Sequence, residues 1–273
     1  MSVIFKQQNH IYESLDPGDG ITWTSVTRFL EHFKEPFDAV AISQKCSKNP
    51  KSKWYGIDPQ VIQGIWKGEG TRGASTGDIY HGQRESDISE LSTIDRCGVS
   101  IPIIRPIFDN GIKHAPDQRL TEGIYPEHFV YLKSAGICGQ SDRVEIVKDT
   151  VDIVDYKTNK KIDKTSFKNW EGISKKMLGP VSHLDDCNFN HYSLQLSLYL
   201  YIILKHNPRY KPGKLVLQHV VFEKSGEDKY GYPILKKDPQ GDFIVQTVIP
   251  YECPYLKDEV RNMINWYLEI KNK

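Results

Sequence analysis

Two carboxylates and a lysine occur on segments that the sequence predicts to pair as a β-hairpin. Residues 142–157 read Asp-Arg-Val-Glu-Ile-Val-Lys-Asp-Thr-Val-Asp-Ile-Val-Asp-Tyr-Lys. With a turn centred on the Lys-Asp pair in the middle, Asp142 faces Asp155, and Lys157 lies on the same face two residues further on. Lys-Asp is not a preferred two-residue turn, so a longer loop with a bulge is an open alternative.

Two carboxylates in this position need a positive charge between them. Side chains directly opposite each other in a hairpin have β-carbons about 5 Å apart, so two ionised aspartates repel each other there. Oxygen ligands favour a hard divalent cation such as Mg²⁺ or Mn²⁺. Such a cation activates water for phosphodiester hydrolysis, and a neighbouring lysine orients that water or stabilises the developing charge. The alternative is a surface hairpin with an Asp–Lys pair at its mouth.

The same alternation predicts which face of the hairpin is buried, because successive strand residues point to opposite faces. The face with the aspartates carries four apolar side chains: Val144, Ile146, Val151 and Ile153. The other face carries polar side chains and is expected to face solvent: Arg143, Glu145, Thr150 and Asp152. The aspartates are therefore predicted at the open end of a buried sheet face.

Helices and strands alternate around this hairpin. Helices are predicted at 26–33, from Asp58-Pro59 onward, at 188–206 and at about 255–270. Strands are predicted at 120–124, 129–132, 136–147, 151–157, 214–222 and 242–249. This order indicates a single domain over residues 1–273, of the α/β or α+β class, with residues 1–95 mainly helical.

A glycine-rich segment follows the predicted helix start at Asp58. Six glycines between Gly64 and Gly82 weaken the helix prediction there. The run Gly68-Glu-Gly-Thr-Arg-Gly73 also matches the G-x-G-x-x-G pattern of phosphate-binding loops, but such loops follow a strand. Residues 58–67 before this run are predicted as helix rather than strand, and no G-K-[S/T] follows it, so we do not interpret it as a nucleotide site.

Composition excludes several classes of protein. The chain has 273 residues, of which 38% are hydrophobic and 26% charged, as is typical of a globular protein with its own core. No apolar run reaches the ~18 residues of a membrane span, and the first residues lack a signal or transit pattern. We therefore expect no membrane partner and a cytoplasmic location.

The cysteines and the net charge give two further expectations. The five cysteines are scattered, which predicts reduced thiols and no iron–sulfur cluster: Cys46, Cys97, Cys138, Cys187 and Cys253. The formal net charge is +1, so any contact with nucleic acid has to come from local patches rather than from bulk charge.

Four short motifs occur in a fixed order along the chain. They are Gly77-Asp-Ile-Tyr-His81, Gly139-Gln-Ser-Asp142, Ile153-Val-Asp-Tyr-Lys-Thr158 and Gln195-Leu-Ser-Leu-Tyr199. In this order they resemble the PD-(D/E)XK nuclease superfamily, and within it the RecB-type and phage-exonuclease-like branch. That branch has a G-T-x-x-H helix, a G-x-x-D strand, a D-Y-K-T strand and a Q-x-x-x-Y helix. The chain departs from the pattern at Asp78, where Thr is usual, and at Ser141, where Pro is usual.

The resemblance implies a fold and a set of roles. The fold is a restriction-endonuclease-like core within 115–273, with a central mixed sheet flanked by helices and an N-terminal helical wall. The implied ligands for one or two Mg²⁺ or Mn²⁺ ions are His81, Asp142, Asp155 and the backbone carbonyl of Tyr156. Lys157 would be the catalytic lysine. Gln195 would support the metal cleft or touch DNA, and the alternative for it is a core position bonded to the backbone.

Two more acids are candidates for supporting roles. Glu85 lies one helical turn beyond His81, where it could fix the imidazole ring or remain a solvated acid. Glu122 lies on the predicted strand 120–124, which precedes the hairpin, and there it could serve a second metal ion or be an edge-strand acid. Both alternatives are open for each residue.

Substrate contacts are expected beside the metal. Seven lysines lie between Lys157 and Lys176, with Phe167 and Trp170 among them, and lysines neutralise phosphates while aromatic rings stack on unpaired bases. A second basic stretch, 45–53, precedes Trp54-Tyr55, and a solvated lysine face is the alternative for both. The individual contacts expected are Thr158, Asn159, Lys160, Tyr199 and, more weakly, Arg28.

The resulting hypothesis is a metal-dependent DNA exonuclease. It would act on DNA with single-stranded ends, in phage or bacterial recombination, repair or processing. One alternative is a structure-specific endonuclease on the same core, and another is a nucleic-acid-binding protein without catalysis. The oligomeric state is left open.

Overall fold

Five α-helices and a set of β-sheets make up the described part of the chain. The computed structural model describes residues 3–6, 11–96, 98–169 and 171–271, so Cys97 and Trp170 lie outside the described residues. The helices within these ranges are α1 (Val26–Glu31), α2 (Ala39–Lys48), α3 (Pro59–Glu90), α4 (Asn188–His206) and α5 (Lys257–Lys271). In these ranges we find no helix with the length and apolar character that a bilayer span requires.

The strands form one mixed sheet and three smaller antiparallel sheets within the same ranges. In chain order they are β1 (Val3–Lys6), β2 (Ile11–Ser14), β3 (Thr24–Ser25), β4 (Thr93–Arg96), β5 (Val99–Pro102), β6 (Ile107–Asp109), β7 (Ile112–His114), β8 (Gly123–Leu132), β9 (Ile137–Val147), β10 (Thr150–Lys157), β11 (Lys211–Phe222), β12 (Lys224–Glu227), β13 (Pro233–Leu235) and β14 (Val245–Cys253). The small sheets are β2-β1-β7-β6, β4-β5 and β12-β13.

The central sheet is mixed and carries the core. Its order is β14-β11-β10-β9, and β9 also pairs with β8 and, at its first residues, with β3. β10 and β11 are parallel, whereas β9 is antiparallel to both β10 and β8. The apolar hairpin face packs with α4 and α5 into the largest buried cluster. The protein is therefore a mixed α/β structure with a central mixed sheet, in agreement with the predicted class.

The β9–β10 hairpin has the predicted register. Val151 pairs with Ile146 and Ile153 with Val144, which leaves a two-residue turn. The first turn residue, Lys148, has φ 58°, and a left-handed residue at this position lets a tight turn follow the twist of the two strands. The longer loop considered from the sequence is therefore wrong, and the prediction that places Asp142 and Asp155 in line is confirmed.

The second face of the hairpin is covered, so the prediction of a solvent face is wrong. Glu145 is 6% exposed, and its two oxygens accept bonds of 2.7 and 2.8 Å from Arg96. Arg143 Nε lies 2.8 Å from the same carboxylate. Further along the strand, Tyr156 packs against Tyr80 of α3. The alternation of apolar and polar residues identifies the two faces of the hairpin. It does not show that α3 and the ion pairs of Glu145 cover the polar face.

α3 continues as helix through all six glycines. It spans 32 residues, and Asp58 caps its first turn by accepting from the backbone N–H groups of residues 60 and 61. A β-carbon at most of these glycines would meet open space, and at Gly77 it would lie 3.5 Å from Thr158 Oγ1. The run Gly68–Gly73 lies inside this helix and follows no strand directly, so the glycines do not interrupt α3 as their low helix propensity suggested. Packing of scattered buried residues such as Ile62 and Tyr80 stabilises this helix against its glycine content.

The other elements match the sequence analysis unevenly. α4 has the predicted bounds, 188–206. The two strands predicted at 120–124 and 129–132 are one continuous strand, β8. The N-terminal part is less helical than expected, because β1 and β2 form a sheet with β7 and β6. This sheet pairs residues near the N-terminus with residues over a hundred positions away, which no local pattern indicates.

Candidate active site

Asp142 and Asp155 lie at the end of the β9–β10 ladder. The last backbone pair joins Arg143 to Val154, and beyond it Asp142 Oδ2 accepts the N–H of Tyr156 at 2.7 Å. The side chain thus takes a backbone donor that the ladder leaves unpaired. Asp155 is 1% exposed and close enough to Asp142 for their charges to interact. The two carboxylates therefore meet where the strands separate, as the hairpin predicts.

A third acid, Glu127, lies in the same row on β8. The pairs Pro126–Arg143 and His128–Ser141 place it opposite Asp142. Its φ is 44°, a conformation that costs a residue other than glycine on the order of 1–3 kcal/mol and that clusters at functional sites. Sequence reasoning missed Glu127, because it falls between the two strands predicted there. The β8–β9 register is the signal that would have found it.

His81 reaches this row from α3. Its Nδ1 lies 3.3 Å from Asp142 Oδ2, and its Nε2 lies 3.0 Å from the carbonyl oxygen of Tyr156. Donor atoms of His81, Glu127 and Asp142 all lie within 4.8 Å of one another. The structure therefore brings His81, Asp142 and the Tyr156 carbonyl together as predicted, and it adds Glu127 to them.

Lys157 occupies the α4 side of the site. Its Nζ contacts Asp155 Oδ2 at 2.5 Å and lies 4.8 Å from the ring centre of Tyr192 on α4. The Tyr192 hydroxyl donates to Asn159 Oδ1 at 2.7 Å. Asp155 contacts Lys157 and lies outside the group of three donors, whereas Glu127 lies within that group. Tyr192 is a further residue that the sequence did not single out.

Gln195 and Tyr199 pack behind the metal-ligand candidates. Gln195 Nε2 donates to the Tyr199 hydroxyl at 3.2 Å, so its partner is a side chain rather than the backbone. Tyr199 is 3% exposed. A β-carbon at Gly139 would lie 3.0 Å from Tyr199 Cε1 and 3.1 Å from Val26 Cγ2. The glycine of the G-x-x-D motif thus makes room for the tyrosine of the Q-x-x-x-Y motif.

The charges around Asp142 shift two pKa values in opposite directions. Burial alone would lower the pKa of His81, but the Asp142 carboxylate outweighs it and raises this pKa to about 9. Burial would likewise raise the pKa of Asp142, but His81 and Lys157 hold it below its ordinary range. In the metal-free protein, His81 is thus a cation that bonds Asp142 and the Tyr156 carbonyl with its two nitrogens.

The remaining charged groups are shifted by burial and by each other. Burial and the charge of Asp142 raise the pKa of Asp155 to about 6, although Lys157 opposes this. The same two causes raise the pKa of Glu127 to about 8. Burial would lower the pKa of Lys157, but Asp155 and Asp142 raise it, so this ammonium keeps its charge at neutral pH. Buried carboxyl groups that oppose one another's ionisation in this way are stabilised in their charged form by a bound cation.

The site opens into a cavity of about 1250 Å³. Its lining includes the predicted contact residues Thr158, Asn159, Lys160, Gln195 and Tyr199. Residues 69–85 of α3 supply one wall. Arg28 lies exposed on α1, and the structure does not bring it into the described lining.

The two supporting acids have other partners than expected. Glu122 Oε1 accepts the N–H of Lys148 at 2.9 Å, at the turn end of the hairpin and away from the cavity. Its expected service to a second metal ion is therefore wrong. Glu85 lines the cavity, but its Oε1 lies 3.9 Å from Lys113 Nζ, and no bond joins it to His81 in the described contacts. Lys113 replaces the imidazole as its partner.

Most of the lysine-rich segment is engaged in local contacts. Lys161, Lys175 and Lys176 pair with Asp163, Asp186 and Asp185, respectively. Lys157 and Lys160 line the cavity, and Phe167 is 80% exposed. In the second basic stretch, Lys53 Nζ donates to the carbonyl of Tyr230 and lies over the ring of Trp54. Within the described part of the lysine-rich segment, Lys157 and Lys160 are the lysines that reach the cavity.

The donor set fits a hard divalent cation. Opposite ligands of an octahedral ion at ~2.1 Å lie about 4.2 Å apart, and the three donors lie within 4.8 Å of one another, so small inward shifts bring them into range. Carboxylates suit Mg²⁺, and an imidazole in the set also suits Mn²⁺. The carbonyl of Tyr156 lies beside the same imidazole and can serve as a further oxygen ligand.

The fold and the site define an α/β protein with a cluster of carboxylates, imidazole and ammonium at the end of its central sheet. No protein-family model, curated protein or solved structure matches the chain. The activity is therefore inferred from the geometry of the cluster and from the motifs that compose it.

Proposed function

We propose that the chain is a metal-dependent nuclease that hydrolyses phosphodiester bonds at the ends of DNA strands. The observation that carries this proposal is the convergence of Glu127, Asp142, Asp155, His81 and Lys157 at one sheet end inside a cavity. Burial and the charge of Asp142 raise the pKa of both Glu127 and Asp155, so the three acids oppose one another's ionisation, which carboxylates in separate ion pairs would not do.

Each residue of the cluster has a distinct role in this proposal. Glu127, Asp142 and His81 would hold a Mg²⁺ or Mn²⁺ ion, which supplies an activated water and neutralises charge on the phosphate. Lys157 keeps its proton because Asp155 contacts its Nζ, so it can orient the attacking water or stabilise the pentavalent phosphorus centre. Asp155 fixes the position of that ammonium group.

The motifs and their neighbours support DNA as the substrate. The four motifs that resemble the PD-(D/E)XK superfamily meet at this site although they are distant in sequence, which supports a restriction-endonuclease-like core. Lys160 and Asn159 line the cavity next to Lys157, where they can contact phosphates on either side of the scissile bond. The described cysteines are free thiols, which supports a reducing compartment such as the cytoplasm.

Digestion of labelled DNA tests the proposal. Linear single-stranded, linear double-stranded and circular single-stranded DNA are incubated with Mn²⁺, with Mg²⁺ and with EDTA. Linear DNA should be degraded from its ends with either metal and not with EDTA. Lys157→Met and Asp155→Asn should each lower the rate by roughly 10²–10³-fold or more, because charge stabilisation in the transition state is lost. Glu122→Gln, which removes an acid outside the cavity, should keep the wild-type rate.

Two results decide against parts of this proposal. Undiminished cleavage by Lys157→Met or Asp155→Asn, with wild-type circular dichroism, would refute the assignment of the site. Cleavage of circular DNA as fast as linear DNA would instead favour the endonuclease alternative on the same residues.

A further inference from the structure

Lys113 brings a buried ammonium group to the cavity from outside the four motifs. It lies on β7 and is 5% exposed, although its side chain lines the cavity. Its Nζ donates to Gln140 Oε1 at 2.6 Å and lies 3.9 Å from Glu85 Oε1. A buried ammonium is unfavourable unless carboxylates and hydrogen-bond acceptors surround it. Lys113 therefore marks a place in the cavity that is built for a positive charge.

Lys113 and the candidate metal site share one acid. Burial lowers the pKa of Lys113, whereas the charges of Glu127 and Glu85 raise it, and Glu127 is also one of the three donors grouped around His81. Nucleases with two metal ions hold them about 3.5–4 Å apart, with both ions near the phosphate. Glu127 therefore interacts with the ammonium group of Lys113 and is also a candidate ligand of the divalent ion at His81 and Asp142.

We propose that the ammonium group of Lys113 takes the position of a second metal ion, so that the protein binds a single divalent cation. This inference rests on the proposed function, because it assumes that the first site binds a metal. Four carboxylates surround the cavity end, and two lysine ammonium groups face them: Glu85, Glu127, Asp142 and Asp155 against Lys113 and Lys157. With His81 neutral, as a metal ligand must be, one divalent ion completes the balance, whereas a second would leave two excess positive charges in a partly buried site.

The number of bound ions tests this proposal without a measurement of activity. Mn²⁺ is titrated into the metal-free protein by calorimetry, and electron paramagnetic resonance detects whether bound ions are close enough to couple magnetically. Wild type should bind one ion with an uncoupled spectrum. Lys113→Met should bind two ions with a coupled spectrum, because Glu85 and Glu127 are then free to hold a second cation.

Two further variants control for general effects of charge. Lys113→Met with Glu85→Gln should return to one ion, since the second position then lacks one of its carboxylates. Lys224→Met removes an exposed lysine from the lining of the same cavity and should leave one ion. If Lys113→Met does not fold, Lys113→Gln keeps a hydrogen-bond donor for Gln140 without the charge and should also bind two ions.

The outcomes separate this inference from the proposed function. Two ions in wild type, or a single ion in a folded Lys113 variant, would overturn the role of Lys113 and leave the nuclease proposal standing. No Mn²⁺ bound by wild type would overturn both. A second ion in both Lys113→Met and Lys224→Met would also overturn the inference, because loss of any positive charge in the cavity would then suffice.

Discussion

Glu127→Gln is expected to stabilise the metal-free protein while it weakens metal binding. In the metal-free protein, burial and the charge of Asp142 raise the pKa of Glu127 from the ordinary value of 4.5 to about 8. Between these values the folded protein holds a proton that the unfolded chain releases. The stability linked to Glu127 is thus fully present below pH 4.5 and is lost as the pH rises through 8. Gln keeps the shape of the side chain and removes this loss.

The structure sets the size of the effect. Each unit of pKa corresponds to about 1.4 kcal/mol, so a rise from 4.5 to about 8 bounds the loss at roughly 5 kcal/mol at high pH. Glu127 is partly exposed, and solvent screening reduces this figure. We expect Glu127→Gln to gain about 1–3 kcal/mol of unfolding free energy at pH 9 and almost nothing at pH 5.

Urea unfolding in the presence of EDTA, at pH 5, 7 and 9, measures this difference. Calorimetry with Mn²⁺ gives the second half of the prediction, a loss of affinity greater than roughly tenfold. Glu122→Gln is the matched control, since it removes a carboxylate that accepts the N–H of Lys148. It should lose about 0.5–1.5 kcal/mol at all three pH values and leave the affinity for Mn²⁺ unchanged.

A Glu127→Gln variant that is less stable than wild type at pH 9, or whose difference from wild type does not change with pH, would refute this reasoning. It would mean that Glu127 has a structural bond to lose rather than a repulsion to relieve. If the same variant binds Mn²⁺ with wild-type affinity, Glu127 is not a metal ligand, and His81 and Asp142 remain as the candidates.

Two other substitutions test the surroundings of the site. Gly139→Ala places a β-carbon 3.0 Å from Tyr199, so it should destabilise the protein by about 1–3 kcal/mol and lower nuclease activity. The control is Gly82→Ala on α3, where the β-carbon meets open space and thermal unfolding should be unchanged or shifted upward. Equal nuclease activity of the two variants would show that the position of Tyr199 does not matter. Burial opposes ionisation of Glu145, but bonds from Arg96 hold its pKa below the ordinary 4.5, so its contribution to stability is present above pH 4.5 and lost below it. Glu145→Gln should therefore flatten the fall in melting temperature on acidification, and an unchanged acid limb would contradict this.

Local patterns were sufficient for the elements that carry two of the acids. The alternation of Val144, Ile146, Val151 and Ile153 specified the hairpin register, because a slip by one residue would place all four on the wrong face. The bounds of α4 followed from a long apolar segment that ends at a polar turn. These patterns depend on neighbours in sequence, which is why they could be predicted.

Contacts between distant segments supplied the rest of the site. Glu127 lies at the site because of the β8–β9 register and because it has a positive φ, which a glutamate does not favour. Lys113 lies on β7, whose position is set by its pairing with β1 near the N-terminus. The partners of Glu85 and Glu122 likewise depend on where strands end in space. Propensity and periodicity carry no information about such pairings, so sequence reasoning placed these acids incorrectly or omitted them.

The glycines of α3 have a mechanical consequence. Each glycine inside a helix costs about 1 kcal/mol relative to alanine, so the six from Gly64 to Gly82 make this helix soft. It is held firmly at two points, where the ring of Trp66 meets that of Trp54 and where Tyr80 meets Phe222. Between these anchors lie Gly68, Gly70 and Gly73, where an added β-carbon would meet open space, so no neighbouring side chain braces the helix there. We therefore expect the cavity wall formed by residues 69–77 to deform more easily than the sheet opposite it.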